Sequence, residues 1–404
     1  MLSPNEQKEE NHTLKRHARK DTPIFKARIC CLFLLGLALP GIFSLMQVNA
    51  DGGAPNLAYV AGASQGVGII DVAQQRVIGG LAVAGDPYTI LLSPDGRLLY
   101  VTQPTLGQVT ALATKTRQAI CSAPFPGHPS LLALSSDGTV LYVAGTNETT
   151  IIALDSQTCV LRSSFQTTEP ISWLAVTGVS TSNALQTQLW VAGMTAVSIL
   201  DEQGHVLDSI PIEGGPRFLC LPGALTAYVT TRQGSVVAVD MLTHQVFASL
   251  LTGGIFGPMD YDAVTGDIYV PDQQHNQVDV LSPVLDGSGL TPQEPEHIIR
   301  LSSSPQAIAI TSDGQLGFVA LSGGNVDMLD IPGRSIVTTM FVGGRPHFII
   351  TGPYPPLGVP TPQLAAVSPP NTTFWVLIVA PIIGVLLGAS WFIWRHRKGR
   401  APKI

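Results

Sequence analysis

At 404 residues the chain is long enough for one large domain or two ordinary ones, and only 12% of it is charged. Its 40 Gly and 31 Pro suit many short strands joined by turns rather than long helices. Residues 1–28 and 395–404 hold 12 of the 22 Lys/Arg but only four of the 28 acids, which leaves ten bases against 24 acids between them, a net of −14 that excludes the basic groove of a nucleic-acid binder.

The N-terminal segment, residues 1–28, is basic. The apolar run Ile29–Met46 follows Lys26 and Arg28 and leads to Val48-Asn49-Ala50. A basic region, an apolar stretch and a small-residue site in this order describe residues 29–50 as a signal peptide cleaved after Ala50, or as a signal anchor that stays attached.

The body, residues 51–351, is built on a recurring hairpin. It is clearest at Tyr88–Val101, where Ile90-Leu91-Leu92 leads into Ser93-Pro94-Asp95-Gly96 and then into Leu98-Leu99-Tyr100-Val101. Pro sets φ for the turn and Gly supplies φ > 0 at its end. The pattern returns at Leu131–Val143 and Ile308–Val319, and more weakly at Leu219–Val229 and Met259–Val270. An aromatic residue followed by Val marks a central strand at Tyr59, Tyr100, Tyr142, Trp190, Tyr228, Tyr269 and Phe318, with gaps of 41, 42, 48, 38, 41 and 49 residues. A strand ending in Asp follows at Val67–Asp71, Ile151–Asp155, Val197–Asp201, Val236–Asp240 and Val326–Asp330. A bend then precedes each new unit, as in Gly85-Asp86-Pro87 and Gly344-Arg345-Pro346.

A period of this length with four strands per unit predicts an all-β, seven-bladed propeller, because a single four-stranded sheet cannot bury both of its apolar faces alone. The insertions Thr177–Gln188 and Pro283–Glu296 read as surface excursions. The first strand, Leu57–Val60, has the character of the second strand of a blade. The last, His347–Ile350, has that of a first strand with nothing after it. The two ends are therefore expected to complete one blade together, which removes an open edge.

Residues 352–373 carry seven prolines in 22 and read as an extended stalk, about 3.1 Å per residue. Residues 374–394 run 21 positions without a charge and read as a C-terminal transmembrane helix, with Trp375, Trp391 and Trp394 near its ends. The basic tail, residues 395–404, fixes that end inside and the propeller outside the cytoplasm. Gly384 and Gly388 in the span have the spacing of a helix-pairing motif, so a homodimer through them is one possibility for this segment. Asn147-Glu148-Thr149 and Asn371-Thr372-Thr373 are glycosylation sequons, with meaning only in a eukaryotic secretory pathway.

Five Cys occur, and Cys30 and Cys31 fall in the first apolar run. Cys121, Cys159 and Cys220 are odd in number and irregularly spaced, so the expectation is three buried thiols rather than a disulfide framework.

With Tyr-Val, Ser-Pro-Asp-Gly, Val-x-x-Ile-Asp and Gly-x-Pro in this order, the stretch from Leu57 to Thr351 resembles the YVTN-type β-propeller repeat family, which overlaps the lactonase-like seven-bladed propellers. Leu98–Thr102 and Val67–Asp71 match its strands closely. Where the family commonly places Asn after the Tyr-Val strand, this chain has Gly62-Ala63, Gln103-Pro104, Gly145-Thr146 and Gly193-Met194. The resemblance implies an extracytoplasmic or surface protein.

No catalytic, metal or cofactor motif stands out. Gly62-Ala63-Ser64-Gln65-Gly66 matches the nucleophile elbow in letters, but a strand-like run follows where a helix is required. The Ser-x-Asp-Gly turns lack the later residues of a sialidase Asp box, and no calcium loop is present. The candidate ligand-binding residues are positional. The bends before the innermost strands gather at one mouth of a propeller's channel, and they carry Asp86, His128, Glu169, Arg217, Arg345 and His347, with Tyr88 and Gln306 beside them. Asp272 and His275 are expected to face the same side. The functional expectation is a membrane-anchored extracytoplasmic module that binds or adheres to a protein, glycan or small molecule. A lactonase-like hydrolase acting on a sugar-derived ester is the alternative.

Overall fold

A computed structural model describes residues 56–180, 185–223, 225–284 and 294–356. The two apolar segments, the basic ends, the Gly384/Gly388 pair, the Asn371 sequon and most of the stalk lie outside the described residues.

Among the described residues the strands form seven four-stranded antiparallel sheets, and in six of them four consecutive strands meander outward from the channel. The seventh is closed by the chain ends. Its order is Phe348–Gly352, Leu57–Ala63, Gly66–Asp71 and Arg76–Ala82, so the last strand is innermost. The register pairs Leu57 with Gly352, Tyr59 with Ile350 and Ala61 with Phe348. This is the seven-bladed propeller with the clasp expected from the phase of the repeat.

The recurring motifs have separate physical jobs. In the Ser/Thr-x-Asp-Gly turns the hydroxyl donates to the Asp and accepts a backbone N–H beyond the turn. Ser93 reaches Asp95 at 2.6 Å and accepts from Leu98 N at 2.9 Å, and Ser135 and Thr311 repeat the arrangement with Asp137 and Asp313. Gly96, Gly138 and Gly314 follow with φ of 67°, 72° and 64°, a region that L side chains enter only with strain. The Asp that ends a third strand caps the next turn: Asp240 accepts from Leu242 N and Thr243 N at 2.8 and 2.7 Å, and Asp71 accepts from Gln74 N at 2.8 Å.

The central-strand aromatics fill the spaces between blades. Tyr59, Tyr100, Tyr142, Trp190, Tyr228, Tyr269 and Phe318 are all 0–2% exposed. Burial pushes the Tyr59, Tyr100, Tyr142 and Tyr269 hydroxyls up to about 12. Seven apolar clusters each join two neighbouring blades. One joins Ala58, Val60 and Ile70 to Phe318 and Met328, and so links the closing blade to the last. The core is thus a ring of inter-blade interfaces rather than a single centre.

Two expectations need correction. Residues 177–188 are not a surface loop: the inner strand of the fourth blade, Trp173–Ser180, and its partner Leu185–Ala192 stay paired out to Ser180 and Leu185, so the insertion lengthens a hairpin. The 283–296 insertion falls largely outside the described residues. The cysteines are not three free thiols either. Cys121 and Cys159 form a disulfide with Cα atoms 5.8 Å apart, and only Cys220, which is buried, is free among the described residues. The partners lie in neighbouring blades, Cys121 on the outer strand Ala119–Pro124 and Cys159 in the turn before Leu161–Gln166. Radial packing brings them together, and no local spacing announces it.

The bridge spans 38 residues, for which the chain-entropy account gives roughly 3–4 kcal/mol. Cys121→Ser is expected to lower the unfolding free energy by about 2–4 kcal/mol. Denaturant curves of the oxidised protein should show this, and reductant should bring wild type down to the variant. Coincident curves for oxidised wild type and variant would contradict it.

Candidate functional site

The contacts of the six candidate side chains divide them: some lie near one another, and others are engaged elsewhere. His347 and Tyr88 stack across the seam between the first two blades, with ring centroids 5.0 Å apart and planes inclined by 30°. Burial lowers the His347 pKa, Asp86 nearby raises it and Arg345 lowers it further. Arg217, from the fifth blade, lies within electrostatic reach of Tyr88 and of Arg232, and its partial burial lowers its pKa. Its guanidinium sits over the Phe218 ring, 4.9 Å from the centroid. Asp86 and Arg345 are exposed, and Asp86 adopts φ of 55°.

His128 and Glu169 do other work. The His128 ring is 81% exposed, with Nδ1 3.6 Å from the Glu148 carboxylate, while its backbone N–H donates to the same carboxylate at 2.7 Å. Glu169 accepts from Met194 N at 2.7 Å, from Thr195 N at 2.9 Å and from the Thr195 hydroxyl. Desolvation opposes its ionisation, but these bonds prevail and hold its carboxyl below the usual range. It therefore fastens a turn of its own blade. Gln306 donates to Ser304 O at 3.2 Å. Asp272 is buried and His275 donates to it at 2.6 Å, a contact that raises the histidine's pKa.

The elbow-like sequence serves the clasp. Gly62 and Gly66 flank the turn between two strands, and the Ser64 hydroxyl donates to Val342 O at 3.1 Å. Gly62 has φ of 81°, and a Cβ there would lie 2.0 Å from the Arg345 carbonyl oxygen. Arg345 N donates to Gly62 O at 2.7 Å and His347 N to Ala61 O at 3.0 Å, so Gly62 permits the close approach that seats His347 at the mouth.

Beneath the polar rim lies an aromatic layer that the sequence reading did not anticipate. Trp173 packs edge-on against Phe218 with centroids 5.1 Å apart, and against Phe348 at 5.9 Å. Each follows a polar residue at the start of an inner strand: Ser172-Trp173, Arg217-Phe218 and His347-Phe348. Arg232 also went unsuggested. It projects from the turn after Thr226–Thr231 and donates to the Ser172 hydroxyl. The available signal was an aromatic directly after Ser172, Arg217 and His347.

Arg217 thus lies near Tyr88 and Arg232, and His347 near Tyr88, Asp86 and Arg345, with the Trp173–Phe218–Phe348 aromatics next along the inner strands. On a body of net −14 this is a local excess of donors and positive charge. Among the described residues no three His, Cys, Asp or Glu are grouped as a metal ion would require.

No family model and no curated protein matches this sequence. Solved structures resemble it in fold. The periplasmic gluconolactonase PpgL of Pseudomonas aeruginosa is 19% identical with a TM-score of 0.60, over 74% of this chain and 99% of that one. A functionally unknown protein from Desulfotomaculum acetoxidans is 12% identical with a TM-score of 0.60, over 74% and 99%. The dihydro-heme d1 dehydrogenase NirN is 16% identical with a TM-score of 0.54, over 73% and 74%. At these identities the likeness is one of fold.

Proposed function

We propose that the protein is an extracytoplasmic propeller of the YVTN type, anchored by residues 374–394, whose channel mouth binds an acidic ligand such as a uronic or sialic acid or a peptide carboxylate. The observation that carries this reading is the juxtaposition of Arg217, Tyr88 and His347 over the Trp173–Phe218–Phe348 layer. Guanidinium and phenol groups supply donors for a carboxylate, and the aromatic floor suits the apolar face of a sugar or side chain. The Cys121–Cys159 bridge favours an oxidising compartment, and the basic flanks of the two apolar segments favour the same side for the propeller.

Thermal-shift screening of the full-length protein in nanodiscs against acidic sugars, their neutral counterparts and short peptides tests this. An acidic compound should raise the melting temperature where its neutral analogue does not, and the effect should weaken with salt. Arg217→Ala should weaken that binding tenfold or more, since a hydrogen bond to a charged group contributes about 1.5–3 kcal/mol. Binding indifferent to ligand charge and to Arg217 would end the proposal. The lactonase-like alternative has the fold of a gluconolactonase in its favour. Turnover of gluconolactone lost in His347→Ala would put it first.

A further inference from the structure

Beyond the aromatic layer the channel holds a second chamber of about 370 Å³, within the range of small-molecule pockets. Trp173 and Phe348 form one wall, and Leu92, Ile308 and Ile350 continue it along the inner strands. The sixth blade opens the wall: its inner strand is only two residues long, Asp260–Tyr261, after Pro258, which cannot donate to a ladder. The gap exposes one charged group to a mainly apolar space. Asp260 Oδ2 accepts from Ile310 N at 2.7 Å, and the backbone N–H of Tyr261 also favours the ionised carboxylate, but both donors are neutral. No cationic side chain pairs with this carboxylate among the described residues.

A carboxylate facing an apolar chamber is costly unless a counter-charge accompanies it. We infer that the chamber is a binding site, separate from the mouth, for a small organic cation: an apolar or aromatic body with one protonated amine, the body against Trp173 and Phe348 and the ammonium on the Asp260 carboxylate. The indole face adds attraction for a cation that the aliphatic wall does not. The desolvation that pushes Asp260 up to about 6 still leaves it ionised at neutral pH, where an alkylamine is protonated. The two sites ask for opposite charge, an anion above the aromatic layer and a cation below it, so either can fail without the other.

The test is calorimetric titration of the full-length protein in nanodiscs with three probes of one shape: 2-phenylethylamine, 2-phenylethanol and 3-phenylpropionate. The amine should bind at least tenfold more tightly than the alcohol, and the carboxylate should not bind. Asp260→Asn keeps an acceptor for Ile310 N and should erase the preference for the amine while sparing the alcohol. Ile350→Trp, which adds bulk at a half-buried chamber residue on the closing blade, away from the sixth-blade carboxylate, should abolish binding of both and serves if the first variant fails to fold. Equal affinities for amine and alcohol in wild type, a preference that survives Asp260→Asn, binding that survives Ile350→Trp, or no binding of any probe would each overturn the inference.

Discussion

Deleting residues 344–352 is expected to leave a chain that no longer folds as a monomer. The segment is short, but it supplies the innermost strand of the closing blade, five residues paired along Leu57–Ala61. Ile349 is buried in the interface with the last blade, and Phe348 packs against that cluster and against the one shared with the second blade. Thr351 donates to Ile310 O at 3.3 Å, a further tie to the last blade. Its loss exposes the edge of Leu57–Ala63 and opens two apolar interfaces to water at once. The combined cost is of the order of a whole domain's stability, about 5–15 kcal/mol. The stalk's first residues belong to this clasp: Pro353 lies against Gly96, and the Tyr354 hydroxyl donates to Asp71 at 2.8 Å. A chain ended after Pro356 should therefore keep its melting temperature, whereas Tyr354→Phe should lower it slightly by removing the bond to Asp71. Calorimetry with light scattering reads all three variants. A monomer that melts normally without residues 344–352 would show that other residues close the ring.

The clasp was legible in the sequence because it follows from phase: a repeat that starts on a second strand and stops on a first can close in only one way. The blades were legible for a related reason. Each marker residue answers a local demand, Gly96 for positive φ, Asp240 for turn caps, Tyr100 for filling the gap to the next blade. What depends on neighbouring blades was not legible. Cys121 and Cys159 meet because two blades pack side by side, and one repeat length of separation looks the same whether the sulfurs meet or not. The mouth was legible as a place and not as a set of contacts. Position brought Arg217, His347 and Tyr88 to it, but a bend residue can point along the rim as easily as into the channel. Glu169 turns to the backbone of Met194 and Thr195, and His128 turns to solvent. The aromatic layer depends on three inner strands converging from separate blades, which no spacing within one repeat encodes.

Replacing both Asp260 and Asp279 by Asn is expected to stabilise the propeller at pH 7 by about 3 kcal/mol or more and to change little at pH 4. Both carboxyls are raised from the ordinary aspartate value of 3.8 to about 6, Asp260 through burial and Asp279 through burial and the nearby Asp272. An acid raised in this way favours the folded state when protonated. Between pH 4 and 6 the folded protein binds more protons than the unfolded chain, so stability falls as pH rises through that window, and the whole cost is present above it. For Asp260 the 2.2-unit difference corresponds to about 3 kcal/mol. The backbone N–H groups of Ile310 and Tyr261 offset only part of this cost, and the buried Cys220 thiol and the Tyr261 phenol nearby supply no counter-charge. Around Asp279, His275 helps when protonated and Asp272 opposes. Other groups act elsewhere or in the other direction. Desolvation works against Asp155, yet bonds from Arg162 and Thr158 hold it down at about 2, so its contribution is lost only as pH falls well below 4. His347, lowered by burial, costs stability when it is forced to protonate below its unfolded-state pKa. These contributions are common to wild type and variant and cancel in their difference. Asn keeps an acceptor for Ile310 N and for the Gln277 side chain, so the native bonds at 2.7 Å survive the exchange. Denaturant midpoints for both proteins at half-unit steps from pH 4 to 8 should therefore separate progressively between 4 and 6 and run parallel above. A gap independent of pH would mean that the gain comes from packing and that neither carboxyl holds its proton in the folded state.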